Sequence, residues 1–127
     1  MGDISKNISR HEIRCHCDKG CGYEFMSGET IAVVQDVCDY FATLLGLDRV
    51  TLNIHSAARC PVYNAQIGGV EGSKHVRSGA IDFNIVQVAP HLVADYLETK
   101  YPGRYGIGRY KGFTHIDTRY MTARWEG

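Results

Sequence analysis

The feature that most constrains the fold is a long helical periodicity between Glu29 and Leu45. Its apolar residues recur at steps of three and four, which puts them on one face of a helix; they are Ile31, Val34, Cys38, Phe41 and Leu45. Ser27 is a suitable N-cap and Gly46 a suitable C-cap. Such a helix buries its apolar face against another layer of secondary structure.

The other elements suggest that this layer is a sheet. A second helix is predicted from Pro90 to Lys100, with Leu92, Val93, Tyr96 and Leu97 as its apolar stripe. Residues 50–55 and 80–85 alternate in the manner of strands, and residues 104–119 predict one or two more. We therefore expect an α+β fold, a mostly antiparallel sheet with helices packed on one face. Residues 1–127 are expected to form one domain, on which the cysteine-containing segment 1–28 packs.

Charge and hydropathy exclude several classes of partner. The chain has 14 Lys plus Arg and 14 Asp plus Glu, so we expect neither nucleic-acid binding nor attachment to a membrane surface. No apolar run approaches the roughly 20 residues needed to span a bilayer. The polar N-terminus does not resemble a secretory signal, which predicts synthesis in the cytoplasm without a signal peptide.

Three residues form a candidate zinc site. His75 closes a glycine-rich loop of about twenty residues, a length that is usually functional. Asp82 lies in a strand between apolar neighbours, and His115 lies in a second strand. Two imidazoles and a carboxylate suit zinc and leave a fourth position for water. By spacing alone, a histidine that is merely hydrogen-bonded to a carboxylate explains the pattern equally well.

Four sequence blocks resemble the zinc D-Ala-D-Ala carboxypeptidases and their phage endolysin relatives. They are ISRHEIRCHCDKGCG, SAARCPVYNAQIGGVEGS, SKHVRSGAID and YGIGRYKGFTHIDTRYMTARW. They occur in the order that the small phage-type branch of this family shows, and they cover about residues 4 to 125. The resemblance implies the Hedgehog/D-Ala-D-Ala peptidase-like fold.

The resemblance also implies roles for individual residues. His75, Asp82 and His115 would hold one catalytic zinc ion. Arg59 matches an arginine that binds the substrate's carbonyl or carboxylate and stabilises the oxyanion, which a fixed guanidinium can do; a structural salt bridge is its alternative. Ser73 matches a serine near the peptide-binding groove. The implied substrates are peptidoglycan peptides.

Two positions depart from the family pattern. Ser78 replaces a glycine, with Gly79 next to it. Gly112 stands where larger members carry the acidic general base, three residues before the last histidine. Asp117 is the nearest replacement as catalytic base, but it could equally orient His115 or pair with Arg119. His55 and Glu71 are further candidates for carrying the proton.

Four of the five cysteines are candidates for a second metal site or for a disulfide. Cys15, Cys17, Cys21 and Cys60, with His16, could hold a second, structural zinc ion. Their spacing is not a paired CxxC pattern, so packing of thiols or a disulfide is favoured over a metal. The fifth, Cys38, is expected to be a small buried apolar residue.

The sequence leaves two functions open. The first is a zinc peptidase of peptidoglycan stem peptides, acting as a D,D-carboxypeptidase or an endopeptidase. As a phage or prophage lysin it would reach the cell wall after lysis or as a virion component. The second is a non-catalytic zinc-binding domain used for binding or phage assembly, which the glycine at position 112 favours.

Overall fold

A computed structural model of the chain describes residues 4–13, 26–57 and 79–127. Three helices lie in these ranges: α1 (Arg10–Ile13), α2 (Gly28–Leu45) and α3 (Pro90–Lys100). The strands are β1 (Leu52–Ser56), β2 (Ala80–Ile85), β3 (Gly106–Arg109), β4 (Thr114–Asp117) and β5 (Ala123–Glu126). In this part of the chain, no helix is long and apolar enough to cross a membrane.

The strands form one mixed sheet in the order β1-β2-β4-β3-β5. The three pairs β1–β2, β2–β4 and β4–β3 are antiparallel, whereas β5 pairs with β3 in parallel. The expectation of an α+β fold with a mostly antiparallel sheet is thus confirmed. Because β4 lies between β2 and β3, residues from three separate parts of the sequence meet at the centre of the sheet.

The two long helices pack on one face of the sheet. On that face, Ile81 of β2 lies opposite Ile116 of β4, which in turn lies opposite Ile107 of β3. All three are buried together with Val34 of α2 and Val93 of α3 in a single apolar core. Strand residues alternate between faces, so the side chains of residues 82, 115 and 117 lie on the opposite face. We call that opposite face the site face.

Polar contacts attach the N-terminal residues 4–13 to α2 and to the start of β1. The Ser5 hydroxyl donates to Gln35 Oε1 at 2.6 Å, and the side-chain amide of Asn7 donates to the carbonyl of Val50, just before β1, at 2.8 Å. Ile8 and Ile13 are buried in the same apolar core as the helices and the sheet.

The helix predictions are confirmed, with differences at the edges of the apolar faces. Gly46 ends α2 in the left-handed conformation, at φ 70°, which glycine adopts at low cost. Ser27 precedes the helix, but its side chain makes no capping hydrogen bond. Leu45 and Leu92 are 46% and 47% exposed, so both lie outside the core. Both lie near a helix end, where fewer neighbouring residues surround a side chain.

The strand predictions are confirmed for β2 and for residues 104–119, differ in the bounds of β1 and omit β5. Strand β1 begins at Leu52 rather than at residue 50, and the region 104–119 contains two strands, β3 and β4. Strand β5 was not predicted, because its four residues ARWE are half-exposed or exposed and do not alternate in hydrophobicity. Arg124 of β5 donates hydrogen bonds to the carbonyls of Tyr101 and Tyr105, which join this strand to the end of α3.

Burial makes the Cys38 thiol a poor nucleophile. Cys38 is 1% exposed in the core, as predicted. Burial, with a smaller contribution from the charge of Asp39, raises the pKa of this thiol from 9.0 to about 12. Since only the thiolate reacts, we expect iodoacetamide at pH 8 to leave Cys38 unmodified in the native protein and to alkylate it in denaturant. Peptide mass spectrometry measures both states, and equal modification in the two would contradict this prediction.

Candidate metal centre

The register of β2 and β4 brings Asp82 and His115 together on the site face. The two residues are direct partners in the antiparallel pair β2–β4, although 33 positions separate them in the chain. Directly opposed residues in such a pair have their side chains on the same face. Asp82 Oδ1 and His115 Nδ1 are 2.7 Å apart, and each residue is 8% exposed.

Asp117 contacts the other nitrogen of the His115 ring. Its Oδ2 lies 2.8 Å from His115 Nε2. Arg119 donates to both oxygens of the same carboxylate, from Nε to Oδ1 at 2.7 Å and from Nη2 to Oδ2 at 2.8 Å. The result is a continuous polar chain, Asp82–His115–Asp117–Arg119. The Asp117 side chain is fully buried, and both of its oxygens form hydrogen bonds with these two neighbours.

The hydrogen bonds among Asp82, His115, Asp117 and Arg119 shift the pKa values of His115 and Asp117. Burial raises the pKa of Asp117, but the hydrogen bonds from Arg119 and His115 outweigh that effect and hold its pKa well below the usual range. Burial lowers the pKa of His115, and the hydrogen bonds to Asp117 and Asp82 together overcome this, so its pKa lies above the ordinary value. The two carboxylates beside His115 therefore stabilise positive charge at the ring, whether a proton or a metal cation supplies it.

This donor set fits a zinc ion. Asp82 offers a carboxylate oxygen and His115 an imidazole nitrogen, adjacent to one another, and both are ordinary zinc ligands. A metal-binding histidine usually donates its second ring N–H to a carboxylate, which is the position that Asp117 occupies. Among residues 4–13, 26–57 and 79–127, no group of three His, Cys, Asp or Glu side chains could hold a metal. The described residues thus offer two adjacent donors, whereas a catalytic zinc site uses three protein ligands.

Several sequence-predicted residues lie outside the described residues. These are His75, Arg59, Ser73, Glu71, Ser78, His16, Cys15, Cys17, Cys21 and Cys60. Of the predicted site, the structure therefore brings together Asp82, His115 and Asp117. His55 lies apart from them in the edge strand β1, exposed, with its Nε2 2.6 Å from Asn84 Oδ1. Gly112 lies in the β3–β4 turn, where a Cβ would meet open space.

Trp125, which no sequence pattern singled out as a site residue, lies with its ring beside His115. The two ring centroids are 5.0 Å apart at 52°, and the indole N–H donates to the Tyr110 hydroxyl at 2.8 Å. Arg119 also lies against this indole, with its Cζ 5.3 Å from the ring centroid. The residues ARW end the last of the matching blocks, but only the pairing of β5 with β3 brings their tryptophan beside the candidate ligand His115.

Comparison with known proteins gives one family. Neither a curated protein nor a solved structure matches the chain. The family model described as Peptidase M15 matches residues 6–117, which includes every candidate zinc ligand and Asp117. The chain belongs to the peptidase M15 family.

Proposed function

We propose that this protein is a zinc-dependent peptidase that hydrolyses amide bonds in peptidoglycan stem peptides. Membership of a peptidase family gives the reaction class. The observation that carries the zinc assignment is the pair Asp82–His115, buried on the site face with the far ring nitrogen of His115 bonded to a carboxylate. If residues 1–127 form one domain, as we propose, the glycine-rich segment that precedes β2 would supply the remaining ligand.

The proposed ligands are His75, Asp82 and His115. The first rests on the family-like segment SKHVRSGAID, and the other two are supported by their contact across β2 and β4. Three protein ligands leave one position for water or for the substrate carbonyl. When bound, zinc activates water at neutral pH and polarises the amide carbonyl.

Arg59 and Ser73 are proposed as the substrate-binding residues. The guanidinium of Arg59 would bind the substrate's carbonyl or carboxylate and would balance the negative charge that develops on the oxygen during hydrolysis. Ser73 would border the peptide groove. Both assignments rest on the matching sequence blocks around them.

For Asp117 we propose the orienting role rather than the role of catalytic base. A general base must come within about 2.6–3.2 Å of the atom whose proton it takes, or reach that atom through one water. The Asp117 carboxylate is fully buried, and Arg119 and His115 engage both of its oxygens. It also contacts Nε2, whereas Asp82 contacts Nδ1, so the imidazole ring separates Asp117 from Asp82, the neighbouring proposed ligand.

The glycine at position 112 supports the second candidate, a non-catalytic zinc-binding domain used in binding or phage assembly. Gly112 offers no carboxylate at the position of the family base. Under this alternative, the protein would bind zinc through the same ligands and leave peptidoglycan intact. The peptidase is the better-supported candidate because the match to a peptidase family covers the complete proposed ligand set. We propose that such a peptidase acts as a phage or prophage lysin, on the wall after lysis or from the virion.

The test combines metal analysis with digestion of cell walls. Protein purified without added zinc is expected to contain about one equivalent, which His75→Ala removes and which His91→Ala, a change at an exposed histidine of α3, retains. Digestion of purified peptidoglycan should release free D-Ala if the terminal bond is cut, or new amino termini without free D-Ala if an internal bond is cut. Zinc binding without either product would favour the non-catalytic alternative. Failure to bind zinc would overturn both candidates.

A further inference from the structure

We propose that Arg119 and Trp125 are positioning residues for His115, and that Gly106 and Gly108 are glycines because these two side chains lie across the β3 backbone. The proposal rests on the proposed function, in that His115 is taken as a zinc ligand.

The first contact is between the Arg119–Asp117 pair and Gly106. Gly106 lies opposite Asp117 in the pair β3–β4. A Cβ on Gly106 would lie 2.5 Å from Asp117 Oδ2, 2.6 Å from Oδ1 and 2.7 Å from Arg119 Nε. Side-chain carbons do not approach other heavy atoms this closely, so any larger residue at this position would displace the ion pair. The paired charges thus occupy the space that a side chain of β3 would otherwise fill.

The second contact repeats this arrangement two residues further along β3. Gly108 lies between His115 of β4 and Trp125 of β5, as the register partner of both. A Cβ on Gly108 would lie 2.6 Å from Cε2 and 2.6 Å from Nε1 of Trp125. The indole therefore crosses the bare backbone of Gly108 and reaches the imidazole of His115, 5.0 Å between ring centroids. Its hydrogen bond to the Tyr110 hydroxyl holds it there.

Together these contacts define one orientation of the imidazole. An aspartate that forms two hydrogen bonds with an arginine is ionised and can only accept. Asp117 therefore accepts a hydrogen bond from the Nε2–H of His115. The Nδ1 atom then faces Asp82, the other proposed ligand. Trp125 packs beside the ring, and Arg119 lies against the same indole. Removing Arg119 or displacing it would leave Asp117 buried without its main partner and would loosen the ring.

The experiment measures binding of cobalt(II), a spectroscopic substitute for zinc, by chelator competition and by its visible absorption bands. The variants are Arg119→Gln, Asp117→Asn and Gly106→Ala. Gly103→Ala serves as the matched control, because a Cβ at Gly103 meets nothing within 4 Å. We expect the three variants to weaken cobalt binding by about 10- to 100-fold and to shift the absorption bands, as loss of partners around metal ligands commonly does. The control should match the wild type in both measurements.

The outcomes separate this proposal from the proposed function. If the wild type binds neither cobalt nor zinc, the proposed function fails. If the wild type binds metal but Arg119→Gln and Asp117→Asn keep its affinity and spectrum, only the positioning role is overturned. A lowered kcat in Asp117→Asn with unchanged affinity would instead make Asp117 the catalytic base. Thermal unfolding checks each variant, and should Gly106→Ala fail to fold, Arg119→Gln decides the question, because that side chain is only partly buried.

Discussion

Replacing His115 by alanine should abolish zinc binding and peptidoglycan hydrolysis. The change removes one of the two proposed nitrogen ligands and leaves the Asp82 and Asp117 carboxylates without the imidazole that lies between them. Loss of an outer partner costs up to about 100-fold in metal affinity or activity, so loss of a ligand should cost more than that. Metal content after dialysis and the rate of release of amines from purified walls measure the two effects.

A matched histidine variant controls for this result. His91 is exposed at the start of α3, on the helix side of the sheet, so His91→Ala should retain zinc and activity at wild-type levels. A His115→Ala protein that is folded, holds one equivalent of zinc and hydrolyses peptidoglycan at the wild-type rate would refute the ligand assignment. Loss of both properties in His91→Ala would show that the assay responds to histidine loss in general.

The largest stability effect is expected for Phe83→Ala. Phe83 follows Asp82 in β2 with its side chain on the helix face, where it is fully buried and lies opposite Ile54 and Thr114. Truncating a buried phenylalanine removes its transfer free energy and leaves a cavity, which together lower the free energy of unfolding by about 3–5 kcal/mol. Denaturant titration of the variant against wild type measures the difference.

Val86→Ala provides the comparison within the same part of the sheet. Val86 is 59% exposed directly after β2, so its truncation should change the free energy of unfolding by less than about 0.5 kcal/mol. If Phe83→Ala lowered the free energy of unfolding by less than about 1 kcal/mol, the prediction that Phe83 packs tightly in the core would be wrong. Because Asp82 and Phe83 are neighbours on opposite faces, the same strand connects the core to the candidate zinc site.

The helices and β2 could be predicted because their sequence pattern is local. A helical face repeats every three or four residues, and the buried residues of α2 follow that repeat from Val34 to Phe41. Strand β2 alternates clearly because one of its faces packs on helices. Strand β5 could not be found in this way. Its residue Arg124 bonds to carbonyls around the end of α3, and its residue Trp125 lies over Gly108, so its burial depends on partners distant in the chain.

Part of the candidate site could likewise be predicted from local sequence, and part could not. Residue type and the matching sequence blocks identified Asp82 and His115 as ligand candidates, and strand periodicity placed His115 and Asp117 on one face. The same reasoning left the role of Asp117 open between base and orienting group. Its hydrogen bonds to His115 and to both donors of Arg119 are what favour the orienting role, and they depend on side-chain conformations that periodicity does not specify.

The sequence by itself determined the two long helices, most of the strands, the family-like blocks and the chemistry of the proposed ligands, because these properties belong to short segments and to residue types. Only the tertiary structure decided that β4 lies between β2 and β3, and hence that Asp82 contacts His115 across 33 residues. It also decided that Gly106 and Gly108 give space to Arg119 and Trp125. The physical reason is that strand order and register are set by packing of the whole core, whereas the local sequence sets only which residues can form a strand.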